Sequence, residues 1–175
     1  MSDVIGYINF GDIRGNSEDA NHKDWIEAMQ ITHAVNRNIN PTSKPADALT
    51  KSQVHLGAIE VAKNADESSP ELVACVAGGK VFPKVLIDLV RVSEGGNEVF
   101  YSWELTNAYI SNYGVQGFTK EAMGDGSGVI RTIETMESIS ICYSSIKWSY
   151  KKKTKDGKPQ GSVDTGWDIA ANKKI

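Results

Sequence analysis

The sequence predicts a mainly β domain, two sheets arranged as a barrel or sandwich, with one short α-helix at about residues 69–77 packed on one side. Three observations carry this. Residues 99–106 (VFYSWELT) place Val99, Tyr101, Trp103 and Leu105 on one parity, the period-two pattern of a strand with one buried face. Residues 85–90 (VLIDLV) are apolar on nearly both parities, and Glu94-Gly95-Gly96-Asn97 between the two runs has the composition of a hairpin turn. Only one segment carries helix punctuation. The chain of 175 residues suits a single domain, residues 1–175, and buries enough surface to need no disulfide or metal staple.

Taken in order, residues 5–10, 26–35 and 54–62 are strand candidates with weaker alternation. Residues 36–52 (NRNINPTSKPADALTKS) are polar, contain two prolines and read as a long loop. In the helix, Ser69 is placed to cap, Pro70 fits the first helical position and Glu71 suits the positive end of the dipole. Leu72, Cys75 and Val76 share a face, and Gly78-Gly79 ends the run. Residues 111–129, with Gly114, Gly117 and the tract Gly124-Asp125-Gly126-Ser127-Gly128, read as a second long loop.

The longest strand candidate covers 130–150. Ile139, Ile141 and Tyr143 lie on one parity and Ile146, Trp148 and Tyr150 on the other, so the phase slips at Ser144-Ser145. A bulge or sharp bend there keeps both halves facing the core. The chain then turns at Asp156-Gly157 and returns through 163–169.

Composition excludes disordered, collagen-like and membrane-spanning classes: 40% of residues are hydrophobic and 23% charged, and no apolar run approaches a membrane span. Net charge is −3 but uneven. From Lys147 onward eight lysines face three aspartates, net +5, while residues 1–146 carry eleven basic and nineteen acidic residues, net −8. An acidic body with a basic end is compatible with nucleic acid, an anionic surface or a second copy of the chain. Cys75 and Cys142 sit among apolar neighbours and read as small buried thiols. The first residues (MSDVIGYINFGD) lack a basic n-region, an apolar h-region and a cleavage site, so no Sec-type signal is expected.

Catalytic and metal chemistry find no support. His22, His33 and His55 have no ligand spacing and read as polar-face histidines. The glycine tract is not followed by Gly-Lys-Ser/Thr, and Ser127 is not in a G-x-S-x-G context. The carboxylate pairs Glu18-Asp19, Asp66-Glu67 and Glu134/Glu137 read as solvated. No catalytic residue, cofactor or metal is assigned, and no enzyme activity is expected. Lys147 and Lys151-Lys152-Lys153-Thr154-Lys155, interleaved with Trp148 and Tyr150, have the outline of a nucleic-acid patch. Those aromatics continue a buried parity and the chain is acidic overall, so a solvated hairpin or a patch meeting another copy is preferred.

Four ordered motifs carry a resemblance: residues 15–26 (GNSEDANHKDWI), 66–72 (DESSPEL) with Ala74-Cys75 and 78–82 (GGKVF), the variable stretch from Val115 to Glu134, and the terminal Gly166-Trp167-Asp168-Ile169-Ala170-Ala171-Asn172-Lys173-Lys174. Together they resemble the Hcp (haemolysin-coregulated protein) family, the tube protein of bacterial type VI secretion systems. The resemblance implies a structural subunit that forms hexameric rings stacking into a tube. It implies as partners a second copy, the spike and sheath of the apparatus, and secreted effectors that the subunit carries or chaperones, with no nucleic acid and no membrane insertion. It also implies a cytoplasmic protein that leaves through its own apparatus without a cleaved signal.

A tail-tube protein of a phage-like contractile particle would share this architecture. A small β-barrel nucleic-acid binder or hydrolase is the rival from another class. Two candidate contact regions follow: a ring-stacking loop with Asn38, Asn40, Pro41, Lys44 and Asp47, and a charge-complementary interface with Lys151, Lys152, Lys153 and Lys155.

Overall fold

A computed structural model of the chain describes residues 6–37, 54–93, 96–123, 129–153 and 159–175. Its strands are β1 (Gly6–Asn9), β2 (Ile26–Ala28), β3 (Gln30–Thr32), β4 (Val35–Arg37), β5 (Val54–Leu56), β6 (Ile59–Asn64), β7 (Val81–Ser93), β8 (Gly96–Met123), β9 (Val129–Cys142), β10 (Ser145–Lys153), β11 (Pro159–Asp168) and β12 (Lys173–Lys174), with helix α1 (Ser69–Gly78) between β6 and β7.

β8 is the spine. β7 pairs with it along one side, while β10 (against residues 101–106) and β9 (against 109–123) follow one another along the other, all antiparallel. From there the ladder runs outward through β11 and β12, through β1 and β2, and from β9 through β6 to β3; β4 and β5 form a separate ribbon. The result is a sandwich, and among the described residues the sheet does not close into a barrel. Its core is filled by Ile8, Phe10, Ile26, Ile59, Val61, Phe82, Val85, Ile87, Leu105, Ile139, Ile141 and Ile146, with Leu72 and Cys75 of α1 covering one side.

The phase slip has a structural cause. Ile139 and Ile141 in β9 and Ile146 in β10 are all buried, and the strands break at Tyr143-Ser144. Ser144 bends the chain, its N–H donating to the Thr106 carbonyl and its own carbonyl accepting from the Ile169 N–H, both at 3.0 Å. The break lets the two halves take different outer neighbours, β6 for β9 and β11 for β10. Tyr150 departs from its expected burial and is 45% exposed, and Cys142 is half-buried rather than buried.

Further expectations are corrected. Residues 111–123 form a strand, not a loop: β8 runs to Met123 in continuous register with β9, Met123 opposite Val129. Glycines 114 and 117 suggested a loop, but they sit inside this ladder, where a Cβ on Gly114 would lie 2.8 Å from the Ser138 hydroxyl. Residues 26–35 divide into β2, β3 and β4 because successive pieces pair with β1, β6 and β5. In α1, Ser68 rather than Ser69 occupies the N-cap, and the Ser69 hydroxyl accepts from the Asp66 N–H at 3.0 Å. Gly79 (φ 66°) ends the helix, with Lys80 N–H donating to the Cys75 carbonyl. The turn at Asp156-Gly157 lies outside the described residues.

The terminal motif builds a hook. Gly166 leaves room for Ile175, whose Cγ1 would lie 2.7 Å from a Cβ there. The Asp168 carboxylate accepts from the Ala171 N–H at 2.8 Å, and Asn172 adopts φ 48°, which returns the chain to pair as β12.

Candidate functional site

Both ends of β8 carry the inward-facing side of the sheet beyond the body of the domain. Toward Met123, β7 stops pairing at Tyr109 and β6 covers β9 only from Met136 to Ile141. Residues 115–123 and 129–135 are therefore a two-stranded ribbon with no third strand among the described residues. Direct partners in an antiparallel pair share a face, so the face holding buried Ile139 opposite Tyr113 continues to Val115 and Ile133. These two are 62% and 84% exposed. The other face carries Phe118 and Met136. The Glu121 carboxylate accepts from Arg131 Nε at 2.8 Å across the ribbon.

At the opposite end, Leu105, Ile146 and Trp167 share the core face, two residues on Trp103 and Trp148 follow, and then Tyr101, Tyr150 and Val163. Burial fades along this row: Ile146 is buried, Trp148 half-buried, Tyr150 and Val163 exposed. Lys151 and Lys152 are exposed beside it, at the rim of an open cleft of about 650 Å³ floored by His22, Asp88 and Asn97. Lys153 is not free. It pairs with Glu98, which Arg91 also approaches at 3.5 Å, and the Lys153 ammonium holds the Glu98 carboxyl below its usual range. Of the sequence-derived contact residues, Lys151 and Lys152 remain an accessible pair. Lys155 and the loop residues Asn38, Asn40, Pro41, Lys44 and Asp47 lie outside the described residues.

Two buried polar clusters brace these surfaces, and sequence reasoning missed both. His22, read as a polar-face residue, is 2% exposed. Its Nδ1 lies 2.8 Å from the Asp19 carboxylate and its Nε2 3.1 Å from Asp88 of β7, with Tyr7 stacked on the ring at 4.4 Å. Asn97 donates to both the Tyr7 hydroxyl and Asp19, so one motif ties the 11–25 segment to β1, β7 and β8. Gly15 permits that path, because a Cβ there would lie 2.4 Å from the Trp25 carbonyl oxygen.

The second cluster lies at the root of the ribbon. Lys63 is fully buried and donates to Glu137 at 2.8 Å, Asp66 at 2.9 Å and the Ser69 hydroxyl at 3.3 Å. Burial and the neighbouring Glu137 carboxylate push the Tyr113 hydroxyl up to about 12. Asp19, Asp66 and Glu137 are thus engaged with buried partners rather than solvated. Parity was the available signal for two of these residues. Lys63 falls in step with Ile59 and Val61, and Glu137 in step with Ile139 and Ile141.

His33 is half-buried, its Nε2 2.7 Å from the Tyr143 hydroxyl, which donates to the Gly57 carbonyl at 3.0 Å. Burial pushes the His33 imidazole down and the Tyr143 hydroxyl up. Among the described residues no group of three or more His, Cys, Asp or Glu is placed to hold a metal, and no helix is long and apolar enough to cross a membrane. The arrangement offers surfaces for contact, stiffened from within.

A family model described as type VI secretion system effector, Hcp, matches residues 7–150. Protein hcp1 of Pseudomonas aeruginosa is 23% identical over 168 residues, 95% of each chain. A solved structure described as a type six secretion system protein superposes with a TM-score of 0.82 at 24% identity, covering 98% of this chain and 99% of that one. Hcp1 from Salmonella typhimurium superposes at 0.66 with 19% identity over 98% of each chain.

Proposed function

The chain belongs to the Hcp family of type VI secretion, and on that premise we propose that it is a tube subunit, assembling side by side into hexameric rings that stack and carry effectors. The observation that carries this reading is the exposed inward face of the β8–β9 ribbon. Val115 and Ile133 prolong the core face of the sheet beyond its third strand, where the other described residues leave them 62% and 84% exposed. A two-stranded ribbon is marginal by itself in water, and large aliphatic side chains left exposed on a face that is elsewhere core are suited to contact. A neighbouring copy supplies the missing cover.

The contacts of a ring are heterologous, so unlike surfaces meet and can carry opposite charge. The acidic body and basic end suit this, with Lys151 and Lys152 as the accessible basic contacts. The polar segment holding Asn38, Asn40, Pro41, Lys44 and Asp47 is the proposed ring-to-ring contact. Spike, sheath and effectors are the further proposed partners, and export through the apparatus is the proposed destination. The role is structural rather than catalytic, and neither nucleic acid nor a bilayer is a proposed partner.

Native mass spectrometry and negative-stain electron microscopy of the purified protein test the reading. Six-fold rings seen end-on are the expected result. A monomer at every concentration up to that of a crowded assembly overturns it.

A further inference from the structure

We infer that the two overhangs of the core face are mates: the β8–β9 ribbon of one copy lies on the Tyr101–Tyr150–Val163 end of the next. This rests on the self-assembly reading above and specifies which surfaces it joins.

Three observations support the pairing. Both patches are extensions of the same inward face, lying at opposite ends of β8, where Tyr101 and Val115 stand fourteen residues or about 45 Å of strand apart. A copy therefore cannot bring one onto the other within itself without folding its spine. Their side chains are complementary in kind: aliphatic Val115 and Ile133 on the ribbon, and exposed Tyr150 beside Val163 on the receiving end, with Tyr101 partly buried between them and the core.

Their charges are opposed as well. Setting aside Glu137, which is buried against Lys63, and Lys153, which pairs with Glu98, residues 110–136 carry two basic and three acidic residues, whereas residues 145–168 carry five lysines and three aspartates. Two ribbons meeting each other would bring like charge together, and so would two lysine hairpins. Unlike ends attract, which favours the head-to-tail contact over either symmetric one. Each copy would then give one ribbon and receive one, the arrangement that propagates around a ring.

Site-directed crosslinking tests the pairing. In a Cys142→Ser background, Ile133→Cys and Val163→Cys variants are purified separately, checked for oligomer mass, then mixed, exchanged and treated with a short bismaleimide. The expected product is a covalent dimer formed in the mixture and absent from either variant alone. Dimers from the Ile133→Cys variant alone overturn the assignment, because they report a symmetric contact. Oligomers of native mass without mixed dimers overturn it also, while leaving self-assembly standing.

Should either substitution block assembly, hydrogen exchange on the unmodified protein at low and high concentration decides instead. Protection should rise with concentration in residues 113–121 and 148–151 together. Protection of one without the other refutes the pairing, and a monomer throughout refutes the assembly reading itself.

Discussion

Replacing Lys63 with Met removes the cation at the root of the ribbon and leaves its partners in place. Lys63 and Glu137 are register partners on β6 and β9, with side chains 0% and 2% exposed and 2.8 Å apart, and Asp66 lies 2.9 Å away on the other side. Met roughly fills the volume of the lysine stem, so packing changes little. What remains is an uncompensated carboxylate at Glu137, and removing one partner of a buried pair typically costs about 3–5 kcal/mol. Against a total stability of about 5–15 kcal/mol for an ordinary domain, that is about a fifth or more, a fall in melting temperature of roughly 10 °C.

The double variant Lys63→Met with Glu137→Leu should recover most of this loss, to within about 1–2 kcal/mol of the parent. A buried ion pair and a well-packed apolar pair are often nearly equivalent, and Asp66 keeps the Ser68 N–H at 2.9 Å and the Ser68 hydroxyl as donors. The assay is urea unfolding followed by fluorescence and far-ultraviolet circular dichroism, at one fixed protomer concentration because any association would add stability. A cost below about 1 kcal/mol for the single variant would refute the buried pair. So would a double variant whose loss equals the sum of the two singles, since coupled sites should not add.

Other outcomes follow from the same geometry. Gly15→Ala should cost about 3 kcal/mol or prevent folding, because the new methyl meets the backbone of Trp25 and Ile26 rather than a movable side chain, whereas Gly11→Ala meets nothing within 4 Å and pays only for its φ of 89°; thermal melts compare the two. His33 has its folded pKa pushed down by burial, so the unfolded chain takes up the proton first as pH falls. Stability should drop as pH falls through about 6.5 and level off below the folded value, and His33→Gln should flatten that slope in urea titrations between pH 4 and 8. Lys151→Glu with Lys152→Glu should shift the oligomer equilibrium toward monomer more at low salt than at high salt, read by sedimentation; a salt-independent effect would remove charge from the interface.

The alternation of Val99 to Leu105, the parity slip beside Ser144 and the Ser-Pro-Glu helix start were legible without coordinates. They depend on periodicities that each element imposes locally. The Gly15-to-Trp25 and Gly166-to-Lys174 motifs were legible as motifs, but not as the clasp around His22 and the hook under Ile175. Those contacts join residues such as His22 and Asp88, far apart in the chain. The β8–β9 ribbon was misread because Gly114 and Gly117 carry a loop signature, while the hydrogen bonds that hold them come from the partner strand.

Sequence alone therefore determined the class of the domain, the helix, the family and the division of charge, since each is written in neighbouring residues or in their sum. The tertiary structure decided which residues of inward parity are covered. Parity assigns a side chain to a face, but burial depends on how far the opposing layer reaches. Ile139 and Ile133 stand on the same face of β9, and only the first lies under the body of the domain. The same limit applies to charge: Lys63 and Lys151 are both strand lysines, and packing makes one an internal brace and leaves the other exposed.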